Sequence, residues 1–178
     1  YLGDIDGVSY GIDKEEVNYL HGNDIQLLVI SNPISDATGY DHGVDHAEKA
    51  ISMADELGVP SGVALFGDIE PSFPVDSDFI QGWFDTLSSS KYEVGLYGVY
   101  DESSDLLEAY NSTSEEAQEQ TVVWTAYPQE EITTQDNAPE FDPQGPENAL
   151  LYGWQYALDA EECNRDTNLF KSEISDYL

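Results

Sequence analysis

The sequence predicts an α/β fold of the TIM-type (β/α) barrel class, formed as one domain over residues 1–178. Three observations carry that expectation. Short apolar runs alternate with helical patterns of about 10–15 residues, the signature of βαβ units and a parallel sheet. The runs are apolar almost throughout, as strands covered on both faces are. No Gly-rich phosphate loop follows any of them, which disfavours a doubly wound nucleotide-binding fold and leaves the barrel. A chain of 178 residues is long enough to bury one core without staples.

The elements follow in order. Tyr1-Leu2-Gly3 reads as the tail of a strand already under way, so an opening strand is expected upstream or missing. The chain begins at Tyr1 rather than Met, and a signal peptide or further structure is expected before it. Asp13-Lys14-Glu15-Glu16 has the form of a capping box and opens a short helix through Val17 and Leu20. Residues 26–30 are too few for a helix and lie between Asn23-Asp24 and Asn32-Pro33, which predicts a buried strand. Val44, Ala47, Ile51, Ala54 and Leu57 recur at helical spacing, and Gly58 with Pro60 stops that helix. Residues 63–70 form the next strand, closed by Pro71, which has no N–H for a ladder. Asp76 and Ser77 cap a helix carrying Phe79, Trp83, Phe84 and Leu87 on its apolar side. Residues 94–100 make a strand, 105–110 a helix and 121–127 another strand. Residues 128–148 are polar with four prolines and read as a long surface loop. Residues 150–157 are the last strand, and 169–178 a closing helix.

Charge bounds the function. Against 37 acidic residues stand 5 basic ones (Lys14, Lys49, Lys91, Arg165 and Lys171), a net of −32. Such a field keeps a chain dispersed but destabilises its compact state through self-repulsion. At about 1 M salt the Debye length is roughly 3 Å and most of that repulsion is gone, so a saline setting or bound cations are expected. Nucleic acid is excluded as a partner because phosphate binding needs Lys/Arg clusters. Anionic membrane surfaces are disfavoured likewise, and no run of about 18 apolar residues supports membrane insertion. Cys163 stands alone, so no internal disulfide is expected. No cofactor and no metal are predicted.

The chemistry points to Gly67-Asp68-Ile69-Glu70-Pro71. A strand alternates its side chains, so Asp68 and Glu70 leave one face, roughly 6–7 Å apart along the backbone. They sit at the C-terminal end of a strand, where α/β barrels place working residues. Two close carboxylates oppose each other's ionisation, so one can stay protonated while the other is charged, which is the equipment for cleaving a glycosidic bond. The bland alternative is an acidic loop in a very acidic protein. Tyr97, Tyr100, Trp124 and Tyr127 end neighbouring strands and could stack on sugar faces or simply fill the core. Gln155, between Trp154 and Tyr156, needs hydrogen-bond partners that a sugar hydroxyl could supply. His42 and His46 at i, i+4 have zinc spacing but no third ligand, and a solvated helix face is the default. Asp4-Ile5-Asp6-Gly7 has calcium-loop spacing with its glycine misplaced, so an ordinary loop is expected.

Several separated pieces together resemble one family. Ala47-Glu48-Lys49-Ala50, Ala54-Asp55-Glu56-Leu57-Gly58-Val59-Pro60, the strand ending Asp68-Ile69-Glu70, and Val94-Gly95-Leu96-Tyr97-Gly98 look like the glycoside-hydrolase-like domain of bacterial extracellular proteins, related to family 25 lysozymes. Trp154-Gln155-Tyr156 followed by Asp166-Thr167-Asn168 is similar to the late strand and terminal motif of those enzymes. The resemblance implies a modified barrel whose last strands lack full covering helices, and an extracellular or cell-surface location. It implies Glu70 as general acid and Asp68 as the assisting carboxylate; Tyr97, Trp124, Gln155, Tyr156 and Asp166 are the candidate substrate-binding residues. Asp166 could instead pair with Arg165 or solvent. A cell-wall or related polysaccharide is the implied partner, with neighbouring domains or an upstream segment alongside. Two other readings stay open: a non-catalytic polysaccharide-binding module, and a cation-loaded structural domain of an extracellular assembly.

Overall fold

A computed structural model describes residues 1–128, 130–158 and 166–178. Cys163 and Arg165, and with them the expectations for a lone thiol and an Arg165–Asp166 pair, lie outside the described residues.

Local chemistry sets the helices. Asp13 caps α1 (Lys14–His21), accepting from the Glu16 N–H at 2.8 Å. The helix α2 (Tyr40–Leu57) ends at Gly58 with φ 90°, a left-handed residue whose N–H closes on the Ala54 and Asp55 carbonyls. Asp76 caps α3 (Ser77–Ser88) by accepting from the Phe79 N–H at 2.8 Å, and the same carboxylate accepts from the Gly39 N–H at 2.9 Å. One side chain thus secures the starts of both α2 and α3. The two helices then cross backbone to backbone. A Cβ on Gly43 would collide with the Phe79 carbonyl oxygen and sit 2.9 Å from the Trp83 nitrogen, while one on Gly82 would collide with the Tyr40 carbonyl oxygen.

The strands are β1 (Val29–Ser31), β2 (Ala64–Ile69), β3 (Glu93–Gly98), β4 (Val122–Ala126), β5 (Leu150–Ala157) and β6 (Thr167–Phe170). Between β3 and β4 lie α4 (Asp105–Asn111) and a short α5 (Glu115–Gln120), the latter not anticipated from the sequence. The six strands form one sheet in the order β1-β2-β3-β4-β5-β6, with every neighbour parallel except β5 and β6.

The closed TIM-type barrel expected from the sequence is therefore incorrect. The sheet is mixed and curls only part of the way round, as half a barrel. Closure needs the two outer strands to pair in parallel. Here β1 is three residues long, and β6 turns back antiparallel on β5 and ends the sheet. Between β4 and β5, among the described residues, a 3₁₀ turn at Gln135–Asn137 stands where a barrel would place a covering helix. The expected closing helix over 169–178 is likewise replaced, by β6 and a 3₁₀ helix at Ser172–Tyr177. The strand expected over 26–30 is confined to Val29–Ser31. Tyr1-Leu2-Gly3 is not a strand, although the Leu2 N–H donates to the Ile30 carbonyl at 2.9 Å.

Alternation divides the sheet into two faces. Leu65, Ile69, Val94, Leu96 and Val123 pack with α2, α3 and α4 in the main core. Ala64, Phe66 and Val122 look the other way, into the concave side, where Tyr97, Trp124 and Phe170 join them. Ile174 and Tyr177 of the C-terminal 3₁₀ helix fill that hollow from beneath.

Candidate functional site

The concave face opens at the C-terminal ends of the parallel strands, and there its character changes from apolar to acidic. Asp68 follows Phe66 on that face and lies opposite Tyr97 in the β2–β3 register. It is 6% exposed, and its Oδ1 has no hydrogen-bond partner. Burial, and then the neighbouring Glu70 carboxylate, push the Asp68 carboxyl up from the usual 3.8 to about 7. Glu70 itself is exposed, one residue past the end of β2, where its carbonyl accepts from the Phe73 N–H at 2.9 Å. Pro71 occupies the second position of that turn, which its ring pre-sets. A cavity of about 250 Å³ lies beside Glu70, lined also by Phe73, Asp101, Ser103 and Leu106.

A polar chain crosses the strands next to the two acids. The Tyr97 hydroxyl donates to Gln155 Oε1 at 2.8 Å, and Gln155 Nε2 donates to Asp166 Oδ2 at 3.0 Å. Burial raises the Tyr97 phenol's pKa, and the charges of Glu70, Asp68 and Asp166 raise it further, so all three carboxylates surround this ring. Trp124 donates from Nε1 to Asn168 Oδ1 at 3.0 Å and meets the Tyr97 ring edge-on at 4.8 Å between centroids. Five sequence-predicted residues thus gather around Tyr97: Asp68, Glu70, Trp124, Gln155 and Asp166.

Tyr156 is placed differently. It turns with Trp154 into a separate cluster with Tyr127 and Phe141, and its hydroxyl is 3.0 Å from Thr133 Oγ1. Tyr100 is buried in the main core against Tyr110. Nothing in the sequence pointed to Tyr1. Its phenol is raised by burial and by Asp68, Glu70 and Asp166, which places it at the same opening. No short motif marks it, because it reaches the site from outside the parallel strands.

The other sequence motifs lie elsewhere. His42 and His46 face each other on α2 with ring centroids 5.4 Å apart, and His46 leans on Phe79. Burial, then Lys49 and His42, lowers the His46 pKa. Asp4 closes its own loop by accepting from the Gly11 N–H at 2.7 Å. Among the described residues no group of three or more His, Cys, Asp or Glu is arranged to hold a metal ion. The ion pair found among them, Lys91 to Asp55 at 2.8 Å, stands at the opposite end of the sheet. Near that end lies a largely apolar cavity of about 300 Å³, lined by Leu2, Val17, Leu28, Val59 and Val63 together with Tyr1 and His21. No helix among the described residues is long and apolar enough to cross a membrane.

Comparison with known proteins agrees with this geometry. The family described as Rv2525c-like, glycoside hydrolase-like domain matches residues 8–167. A 1.07 Å crystal structure of an uncharacterized B. stearothermophilus protein superposes with a TM-score of 0.95 at 34% sequence identity. The match covers 100% of this chain and 85% of that one. Among curated proteins, none matches.

Proposed function

This chain belongs to the Rv2525c-like, glycoside hydrolase-like domain family, and from that premise we propose that it cleaves a cell-wall or related polysaccharide in the manner of a lysozyme. Glu70 serves as general acid and Asp68 as the assisting carboxylate. The observation that supports this most is the unequal pair, one buried acid holding a proton to about pH 7 beside one exposed acid. Between them the two carboxylates keep one proton near neutrality. In the free chain it rests on Asp68. With a sugar lying over Glu70, the proton passes from Asp68 to the group that touches the leaving oxygen. Tyr97, anchored through Gln155 to Asp166, and Trp124, anchored to Asn168, offer aromatic faces for the sugar rings. An extracellular, saline setting fits the charge, because anionic wall polymers approach such a surface only when salt screens it.

The test is Glu70→Gln. Release of reducing ends from peptidoglycan and chitin should vanish while the melting temperature stays put; full turnover in the variant would overturn the assignment.

One observation favours a second reading, a polysaccharide-binding module without catalysis. Among the described residues, no side-chain hydrogen bond holds the Glu70 carboxylate in place, whereas Asp166 and Gln155 are tied down. Glycan binding by the wild type with no reducing ends formed would establish that reading instead.

A further inference from the structure

Asn32 is buried at the end of β1, with 8% of its surface exposed. Ser31 pairs with Gly67 in the parallel β1–β2 register, so the next residues along, Asn32 and Asp68, stand side by side. Two residues back, Ile30 and Phe66 both belong to the concave cluster, and alternation carries Asn32 and Asp68 onto that same face. Pro33 keeps Asn32 extended, which preserves the alternation past the end of the strand.

The amide of Asn32 is oriented by a built device. Its Nδ2 donates to Ser9 Oγ at 2.7 Å. Ser9 in turn sits in a small hairpin closed by the Ile5–Ser9 bridge and by the Asp4 carboxylate on Gly11. The Asp4-Ile5-Asp6-Gly7 motif therefore presents Ser9 to Asn32. With its nitrogen held, Asn32 Oδ1 points elsewhere and has no partner, as Asp68 Oδ1 has none. Neither buried oxygen has a protein partner: the Asn32 carbonyl asks for a donor, and the Asp68 carboxyl can give a proton or, once ionised, accept one.

The neighbouring donors are directed at protein acceptors. The Tyr97 hydroxyl goes to Gln155, Gln155 Nε2 to Asp166, and Trp124 Nε1 to Asn168. We propose that Asn32 is a sugar-contacting residue which, with Asp68, forms an acidic, acceptor-rich subsite for the hydroxyl, amide N–H or ammonium donors of a neutral or cationic sugar unit, and that this subsite rejects uronic acids. The proposal rests on the glycan reading above and adds to it a residue and a substrate class. A uronate carboxylate would face the Glu70 and Asp166 carboxylates around Tyr97 as well as the Asn32 carbonyl, and like charge would repel it. An amino sugar offers two or three donors to the same groups.

The experiment is calorimetric titration of the 178-residue chain at about 1 M NaCl, where long-range attraction is screened. The probes are tetra-N-acetylchitotetraose, its fully de-N-acetylated tetramer and tetragalacturonate. Wild type should bind the first two and bind tetragalacturonate at least about tenfold more weakly. Asn32→Ala should weaken both binders by roughly tenfold. Asn32→Asp, which keeps the shape and adds a charge, should weaken the N-acetylated tetramer while keeping or tightening the amine. That opposite response is one a merely structural Asn32 would not produce, and it remains readable if Asn32→Ala fails to fold. Wild type binding that neither variant alters, or tetragalacturonate bound as well as the N-acetylated tetramer, overturns the proposal and leaves the glycan reading intact. Binding of none of the three by wild type removes that reading and this proposal with it.

Discussion

Replacing Asp68 by Asn should make the protein more stable, and increasingly so as the pH rises. The carboxyl titrates at about 7 in the fold against 3.8 ordinarily, so the folded chain keeps a proton that the unfolded chain has released. A raised pKa contributes stability that is whole below the unfolded value and lost as pH climbs through the folded one. The full difference corresponds to roughly 4 kcal/mol at 1.36 kcal/mol per pH unit. By about pH 5 only 1–2 kcal/mol of it has gone, and by about pH 8.5 all of it has. Asn at this position does not ionise, so its advantage over wild type should widen by roughly 2–3 kcal/mol between those pH values. In a domain of this size that is about 5–10 °C in melting temperature. Urea unfolding of both proteins at each pH, in high salt to quiet the other carboxylates, measures it. Stability curves that run parallel across the pH range would refute the buried, proton-holding Asp68. The same variant should lose any glycan-cleaving activity, which would explain why so costly a group is kept.

The helix crossing gives another prediction. Gly43→Ala and Gly82→Ala should each destabilise by about 2–4 kcal/mol in urea unfolding, because the added methyl meets backbone that cannot move aside. Asp76→Ala should cost about 2 kcal/mol, since it strands the Phe79 and Gly39 N–H groups together, and Asp76→Asn should recover much of that loss. Raising NaCl from about 0.05 M to about 2 M should increase the melting temperature, and KCl should match it at equal ionic strength. Stabilisation by millimolar calcium beyond what ionic strength gives would instead mark specific cation binding.

How much was legible depended on whether a signal was local. Asp13, Gly58 and Asp76 acted as the caps their chemistry announces, and strands β2 to β5 fell where apolar runs met turn residues. The acids at the end of β2 were legible because alternation and Pro71 are both short-range. What failed was long-range. Nothing in the sequence of Thr167–Phe170 says that it will pair antiparallel with β5, and that pairing decides whether the sheet closes. The polar α5 carries one buried residue, Ala117, too little for an apolar stripe. Tyr156 belongs to the same resembling motif as Gln155, but adjacent strand residues face apart, and Tyr156 lies with Trp154 in its own cluster. Asn32 read as turn punctuation before Pro33, and only the β1–β2 register reveals its neighbour.

An incomplete barrel has two rims. Among the described residues, β1 on one side and β6 on the other end the sheet, with only the Leu2 N–H reaching the Ile30 carbonyl beyond β1. Such margins are where a second molecule could zip on, and shortness is one defence, since the two strands span three and four residues. The surplus of negative charge is the other, holding like molecules apart. Brine that quiets the repulsion inside each fold also quiets it between folds, so crowding in strong salt should be resisted by the brevity of these margins alone.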